Sequence, residues 1–220
     1  MDLACRQDFN LLEAFAMFDI DGKGYCTVHE FHNKFRAIAP EKNPCIQDFE
    51  LMFKRHNKTD DGKLKYSEFM HALSPLTTEY SQMLNQRKPK NIIGQTRLPF
   101  QVFDGETFNT MIYAIQMMLD TEGHAERVRL RCFEKPGFNL PNLYQTLLYQ
   151  SVKTEQDRQM FSFNDFTGTA VSIRNLKDVM ENFGHHSKLD QIDYQLVVDR
   201  FDMDGDGLIC YGEVSRPYSL

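Results

Sequence analysis

The chain has 220 residues, a formal net charge of −6 and a pI of about 5.6, which excludes a nucleic-acid binder that relies on a basic surface. Apolar residues make up 41% and charged residues 25%, enough for a real core in one large domain or two lobes. No apolar run approaches the roughly 18 residues of a membrane span, and the start, Met-Asp-Leu-Ala-Cys-Arg, has neither the basic nor the apolar region of a secretory signal, so neither is expected. Five scattered cysteines (Cys5, Cys26, Cys45, Cys132, Cys210) form no CxxC pair and read as reduced thiols of an intracellular protein.

Helical spacing dominates from the start. Phe9, Leu12, Phe15, Ala16 and Phe18 recur at threes and fours and lead into a polar loop, Asp19-Ile-Asp-Gly-Lys-Gly-Tyr-Cys-Thr-Val-His-Glu30. Ile46, Phe49, Met52 and Phe53 repeat the spacing before a second loop, Asn57-Lys-Thr-Asp-Asp-Gly-Lys-Leu-Lys-Tyr-Ser-Glu68. Ser74-Pro75-Leu76 closes this first part. Residues 76–104 then read as a basic linker, carrying Arg87, Lys88, Lys90 and Arg97 and interrupted by Pro89, Gly94 and Pro99. Within residues 105–135 a long amphipathic helix is predicted from about 106 to 133. Thr107 is read as a weak cap at its start, Lys135-Pro136-Gly137 stops it, and Met111, Ile112, Ile115 and Leu119 give it an apolar face.

Asn139-Leu140-Pro141 opens the next helix, with proline well placed in a first turn. A worn loop follows at Asn164-Asp-Phe-Thr-Gly-Thr-Ala-Val-Ser-Ile-Arg-Asn175. After Gly184-His185-His186, read as a solvated turn, Leu189, Ile192, Leu196, Val197 and Phe201 mark a further helix. The last loop is Asp202-Met-Asp-Gly-Asp-Gly-Leu-Ile-Cys-Tyr-Gly-Glu213. Pro217 leaves its exit helix barely one turn. The vacancy this would leave in the C-terminal part is expected to be filled by the 106–133 helix.

The four loops are one repeated unit. Residues 8–73 and roughly 141–216 resemble the EF-hand, in which a 12-residue loop surrounds calcium with oxygens from positions 1, 3, 5, 7 (a carbonyl), 9 and a bidentate Glu at 12, with Gly turning the chain at 6. The resemblance implies an all-α protein with two EF-hand pairs, residues 1–75 and 136–220, joined by the spacer and the extra helix. It assigns calcium ligands at Asp202, Asp204, Asp206, the Leu208 carbonyl and Glu213, the full set. It also assigns Asp19, Asp21, the Tyr25 carbonyl, Thr27 and Glu30, a weaker site because Lys23 stands at position 5; its ammonium is expected to swing outward. Asn57, Thr59, Asp61, the Lys63 carbonyl and Glu68 form the weakest set, beside Lys58, Lys63 and Lys65. Magnesium is the expected competitor. The third loop, with Phe166, Gly168, Thr169 and Asn175 at positions 3, 5, 6 and 12, lacks a ligand set and keeps Val171 to pair with Ile209 of the fourth. A fifth loop starting at Asp120 fails, since Ala125 replaces glycine and Arg131 the final glutamate.

No nucleophile elbow, P-loop, H-E-x-x-H or kinase motif occurs, so no catalysis is expected. The segments Pro136-Gly-Phe-Asn-Leu140 and Tyr66-Ser-Glu-Phe69 are similar to EF-hand proteins of cilia and flagella. That similarity implies a calcium-binding structural or regulatory subunit of the axoneme, with tubulin or other axonemal proteins as partners, in the cytoplasmic cytoskeleton and without membrane insertion. The competing expectation is a calcium sensor that docks a helix of a target enzyme or channel.

Overall fold

Helices of 4 to 29 residues dominate the described residues, and the strands are only three residues each. The computed structural model describes residues 2–59, 61–75, 77–89, 102–149, 170–183 and 189–215. It divides into two units, Met1–Leu130 and Arg131–Leu220.

In the first unit, helices α1 (Asp2–Cys5) and α2 (Leu11–Ala16) precede the first loop, strand β1 (Tyr25–Thr27) and helix α3 (Val28–Ile38). Helix α4 (Ile46–His56), strand β2 (Lys63–Lys65) and helix α5 (Tyr66–Leu73) form the second hand, and α6 (Thr78–Asn85) and α7 (Gly105–Phe133) follow. Asn10 starts α2 by accepting the amides of Leu12 and Glu13 at 3.0 and 3.1 Å. Thr27 and Glu30 form a reciprocal capping box on α3, so the last loop positions double as a helix start. β1 and β2 pair antiparallel, placing Cys26 opposite Leu64, the eighth residues of their loops. Under this ladder the core is aromatic: Phe18 stacks on Phe31 with centroids 3.9 Å apart, and Phe49, Phe53 and Phe69 surround Phe31.

The structure departs from the sequence expectations in three places. The long helix does not serve the C-terminal hands: Met111, Ile112, Ile115 and Leu119 of α7 are buried in the N-terminal core. Amphipathic spacing shows that a helix needs an apolar partner but not which one. Gly123 brings α7 close to α4, since a Cβ there would stand 2.9 Å from Asp48 Oδ1. Secondly, α7 starts at Gly105, and its cap is Asp104, whose carboxylate accepts the Thr107 amide at 2.7 Å; the Thr107 hydroxyl donates instead to Asp8 Oδ1 at 2.7 Å.

Thirdly, residues 76–104 are not simply a basic linker. They contain α6, which buries Leu84 in the same core. The Arg87 guanidinium donates to the carbonyls of Ala4 and Phe9, both at 2.8 Å, and of Arg6, while Asn10 Nδ2 donates to the Arg87 carbonyl at 2.7 Å. A cation so engaged is no docking charge for an acidic surface. Lys90 and Arg97 lie outside the described residues.

The second unit holds helix α8 (Leu140–Tyr149), strand β3 (Ala170–Ser172), helix α9 (Ile173–Phe183), helix α10 (Gln191–Phe201), strand β4 (Leu208–Cys210) and the short helix α11 (Tyr211–Ser215). The expected loop pairing is present: Val171 faces Ile209 in an antiparallel ladder, and both are buried with Tyr144, Leu148, Leu176, Tyr194, Val198 and Val214. The Tyr144 hydroxyl donates to the Ile209 carbonyl at 3.1 Å and so ties α8 to the ladder. Helix α10 packs with Tyr194, Val198 and Phe201, whereas Ile192 and Leu196 are 68% and 46% exposed. Apolar residues occur on both of its faces, so spacing alone did not choose between them. The residues from 216 onward, including Pro217, and His185-His186 lie outside the described residues.

Candidate metal centre

The fourth loop gathers three of its four acids, Asp202, Asp204 and Asp206, while Glu213 stands outside that cluster with its oxygens on backbone amides. Asp202, Asp204 and Asp206 each present an oxygen, all within 4.8 Å of one another. Oxygens bound to one calcium at 2.3–2.6 Å lie no more than about 5 Å apart, so the three fit a common ion. Backbone amides fix each side chain. Asp202 accepts from Gly205 at 2.7 Å and Gly207 at 2.8 Å, Asp204 from Asp206 at 3.2 Å, and Asp206 from Leu208 at 2.8 Å. Gly207 adopts φ +78° at position 6, a left-handed conformation that glycine reaches without strain. Glu213, in the first turn of α11, accepts from Met203 at 2.7 Å and Cys210 at 2.8 Å. Burial raises its pKa, but the hydrogen bonds from Met203 and Cys210 more than offset this and leave it below the ordinary carboxylate range. The loop holds four acids and no basic residue. These oxygens, with the Leu208 carbonyl, would hold calcium, a hard cation suited to oxygen donors; magnesium needs a tighter octahedral shell.

The first loop brings its acids together around a different cation. Asp19 accepts the Lys23 and Gly24 amides at 2.9 and 2.6 Å, matching the role of Asp202. The Lys23 ammonium does not swing outward: it binds Glu30 Oε1 directly and lies 3.8 Å from Asp21 Oδ2. The other Glu30 oxygen accepts the Thr27 amide and hydroxyl, both at 2.9 Å. Lys23 first, then Thr27, lowers the Glu30 carboxyl to a pKa of about 2, and Glu30 raises that of Lys23. Tyr25 lies under two ammonium groups, Lys63 at 4.5 Å and Lys23 at 5.2 Å from its ring centre.

In the second loop, Asn57 Oδ1 accepts the Thr59 amide at 3.2 Å and hydroxyl at 3.0 Å, and Glu68 accepts the Lys58 and Lys65 amides, both at 2.8 Å. The Lys65 ammonium donates to Thr59 Oγ1 and pairs with Asp61 Oδ2, each at 3.0 Å. Its hydrogen bond is the main cause of the lowered Asp61 pKa. Read from sequence, Lys65 was only one of three lysines beside the loop. Counting from Asn57 puts it at position 9, and that count is the signal that could have revealed its role.

In the third loop, positions 1 to 6 lie outside the described residues. Asn175, at position 12, donates its amide to Ser172 Oγ at 3.4 Å and so serves the start of α9. Within α7 the candidate fifth loop is continuous helix. Among the described residues no helix is long and apolar enough to cross a membrane.

Residues 8–74 match the family model of the EF-hand domain pair. This segment covers the first two loops and their helices, and the fourth loop repeats the same pattern outside it. Members of this family are in general not enzymes. The chain carries an EF-hand domain pair, the mark of a calcium-binding protein.

Proposed function

We propose that this protein is a calcium-binding structural subunit of a larger assembly, of the kind found in ciliary axonemes, with tubulin or other axonemal proteins as its partners and no catalytic activity. What supports this is the filling of the N-terminal core from within. α7 contributes four buried apolar residues to it, and α1, α6 and Arg87 close around the same hands. Apolar surface that a sensor would offer to a target helix is thereby covered by the chain itself. The two short segments similar to ciliary EF-hand proteins supply the axonemal part of the proposal.

The second reading, a calcium sensor, is favoured by one observation: Leu189, Ile192, Leu196 and Met203 stand exposed along and beside α10, a stripe with the spacing of a helix-docking face. Fluorescence of an apolar-surface dye on the purified chain, with calcium and with chelator, separates the two. The structural reading predicts a flat response while the fourth loop is loaded. A large calcium-dependent rise would favour the sensor. Retention of the tagged protein in detergent-extracted axonemes tests the location; full release into the detergent fraction would count against it.

A further inference from the structure

We infer that the N-terminal pair is closed by its own lysines and takes up no calcium, because the ammonium groups of Lys23 and Lys65 stand among the ligand positions of the first and second loops. In the first loop the ammonium joins position 12 to position 3, Glu30 to Asp21. In the second it joins position 3 to position 5, Thr59 to Asp61. The two lysines come from different positions, 5 and 9, yet each reaches oxygens that would otherwise face a metal ion.

Charge tells the same story. The formal charge of the twelve residues is −2 in the first loop, 0 in the second and −4 in the fourth. Calcium affinity in such loops depends on the number of charged ligands, and an ammonium already among them repels a second cation. The oxygens are also committed. The Thr59 hydroxyl gives its proton to Asn57 and accepts from Lys65. Both Glu30 oxygens are engaged, one by Lys23 and one by Thr27. Tyr25 holds Lys23 and Lys63 against its ring and keeps positive charge at the junction of the two loops. The pair that matches the EF-hand family model therefore keeps the ladder and the capping of its hands, with lysine as its permanent cation. Of the three loops whose ligand positions are described, calcium acts through the fourth. This goes beyond the axonemal proposal and does not depend on it.

The test is a calcium titration of the full-length protein followed by amide NMR, using Gly24, Gly62 and Gly207 as one reporter per loop. Gly207 should move and the other two should stay. Movement of Gly24 or Gly62 at the calcium concentrations that saturate Gly207 would overturn the inference. A second measurement uses melting. The full-length Glu213→Gln variant should melt at the same temperature in calcium and in chelator. Adding Lys23→Asp to it should make melting calcium-dependent, with the higher temperature in calcium. Calcium stabilisation of Glu213→Gln alone, or no response after Lys23→Asp, would contradict the assignment.

Discussion

Replacing Ile115 with alanine should destabilise the N-terminal unit as strongly as a deletion inside the hands themselves. Ile115 is 1% exposed and lies among Met111, Ile112 and Leu119 in the core that contains Phe31 and Phe49. The change removes three carbons and leaves a cavity beneath α7 that tightly packed neighbours fill only partly. Such deletions cost about 3 kcal/mol, which lowers the melting temperature of a unit this size by roughly 10 °C. Tyr113 provides the control. It is on the same helix but 59% exposed, so Tyr113→Ala should change stability by less than about 0.5 kcal/mol. Urea unfolding followed by NMR separates the units, with Gly24 reporting the first and Gly207 the second. Ile115→Ala should shift the Gly24 transition and leave that of Gly207 in place. Equal effects of the two variants, or a loss confined to the Gly207 transition, would refute the placement of α7 in the N-terminal core.

Arg87→Ala should cost the N-terminal unit about 2 kcal/mol by removing the guanidinium hydrogen bonds to the Ala4, Arg6 and Phe9 carbonyls. Arg87→Lys should not rescue it, because one ammonium cannot span the three acceptors of the planar fork; full rescue in a melt would show that charge alone matters. Ile209→Thr should loosen the paired C-terminal loops by about 2 kcal/mol, through lost burial and a hydroxyl facing Val171, and an unchanged Gly207 unfolding transition would argue against that ladder. Burial first, then Asp19 and Glu30, raises the Cys26 thiol to about 12. Alkylation at pH 9.0, where an unperturbed thiol is half ionised, should modify the exposed Cys5, Cys45 and Cys210 and spare Cys26. The folded chain keeps this proton while the unfolded chain loses it at 9.0, so stability should decline between pH 9.0 and about 12. A flat profile for Cys26→Ala against a falling one for the natural chain would tie the loss to this thiol.

The loop geometry of the candidate site was largely legible in sequence because an EF-hand loop is a local object. Twelve consecutive residues supply the ligands, the turn and the cap, so Asp202, Asp206, Gly207 and Glu213 could be assigned by counting. The pairing of Val171 with Ile209 was legible for the same reason, since position 8 has one role. What escaped depends on distance or on rotamers. The lysine stem has several rotatable bonds, and sequence did not reveal that Lys23 turns toward Glu30. The contacts of Arg87 with Ala4 and of Thr107 with Asp8 join residues far apart in the chain, and no local pattern announces them. Helix α7 displayed an apolar face whose partner the pattern left open. Helix α10 displayed two, and packing chose the one carrying Tyr194 and Val198.

The central claim is that the fourth loop is the calcium site of this chain and that Glu213 completes it. Calorimetric calcium titration of the full-length protein beside its Glu213→Gln variant tests this most directly. The account predicts one calcium per chain for the natural protein and loss of that binding in the variant. Unchanged stoichiometry and affinity in Glu213→Gln would contradict it.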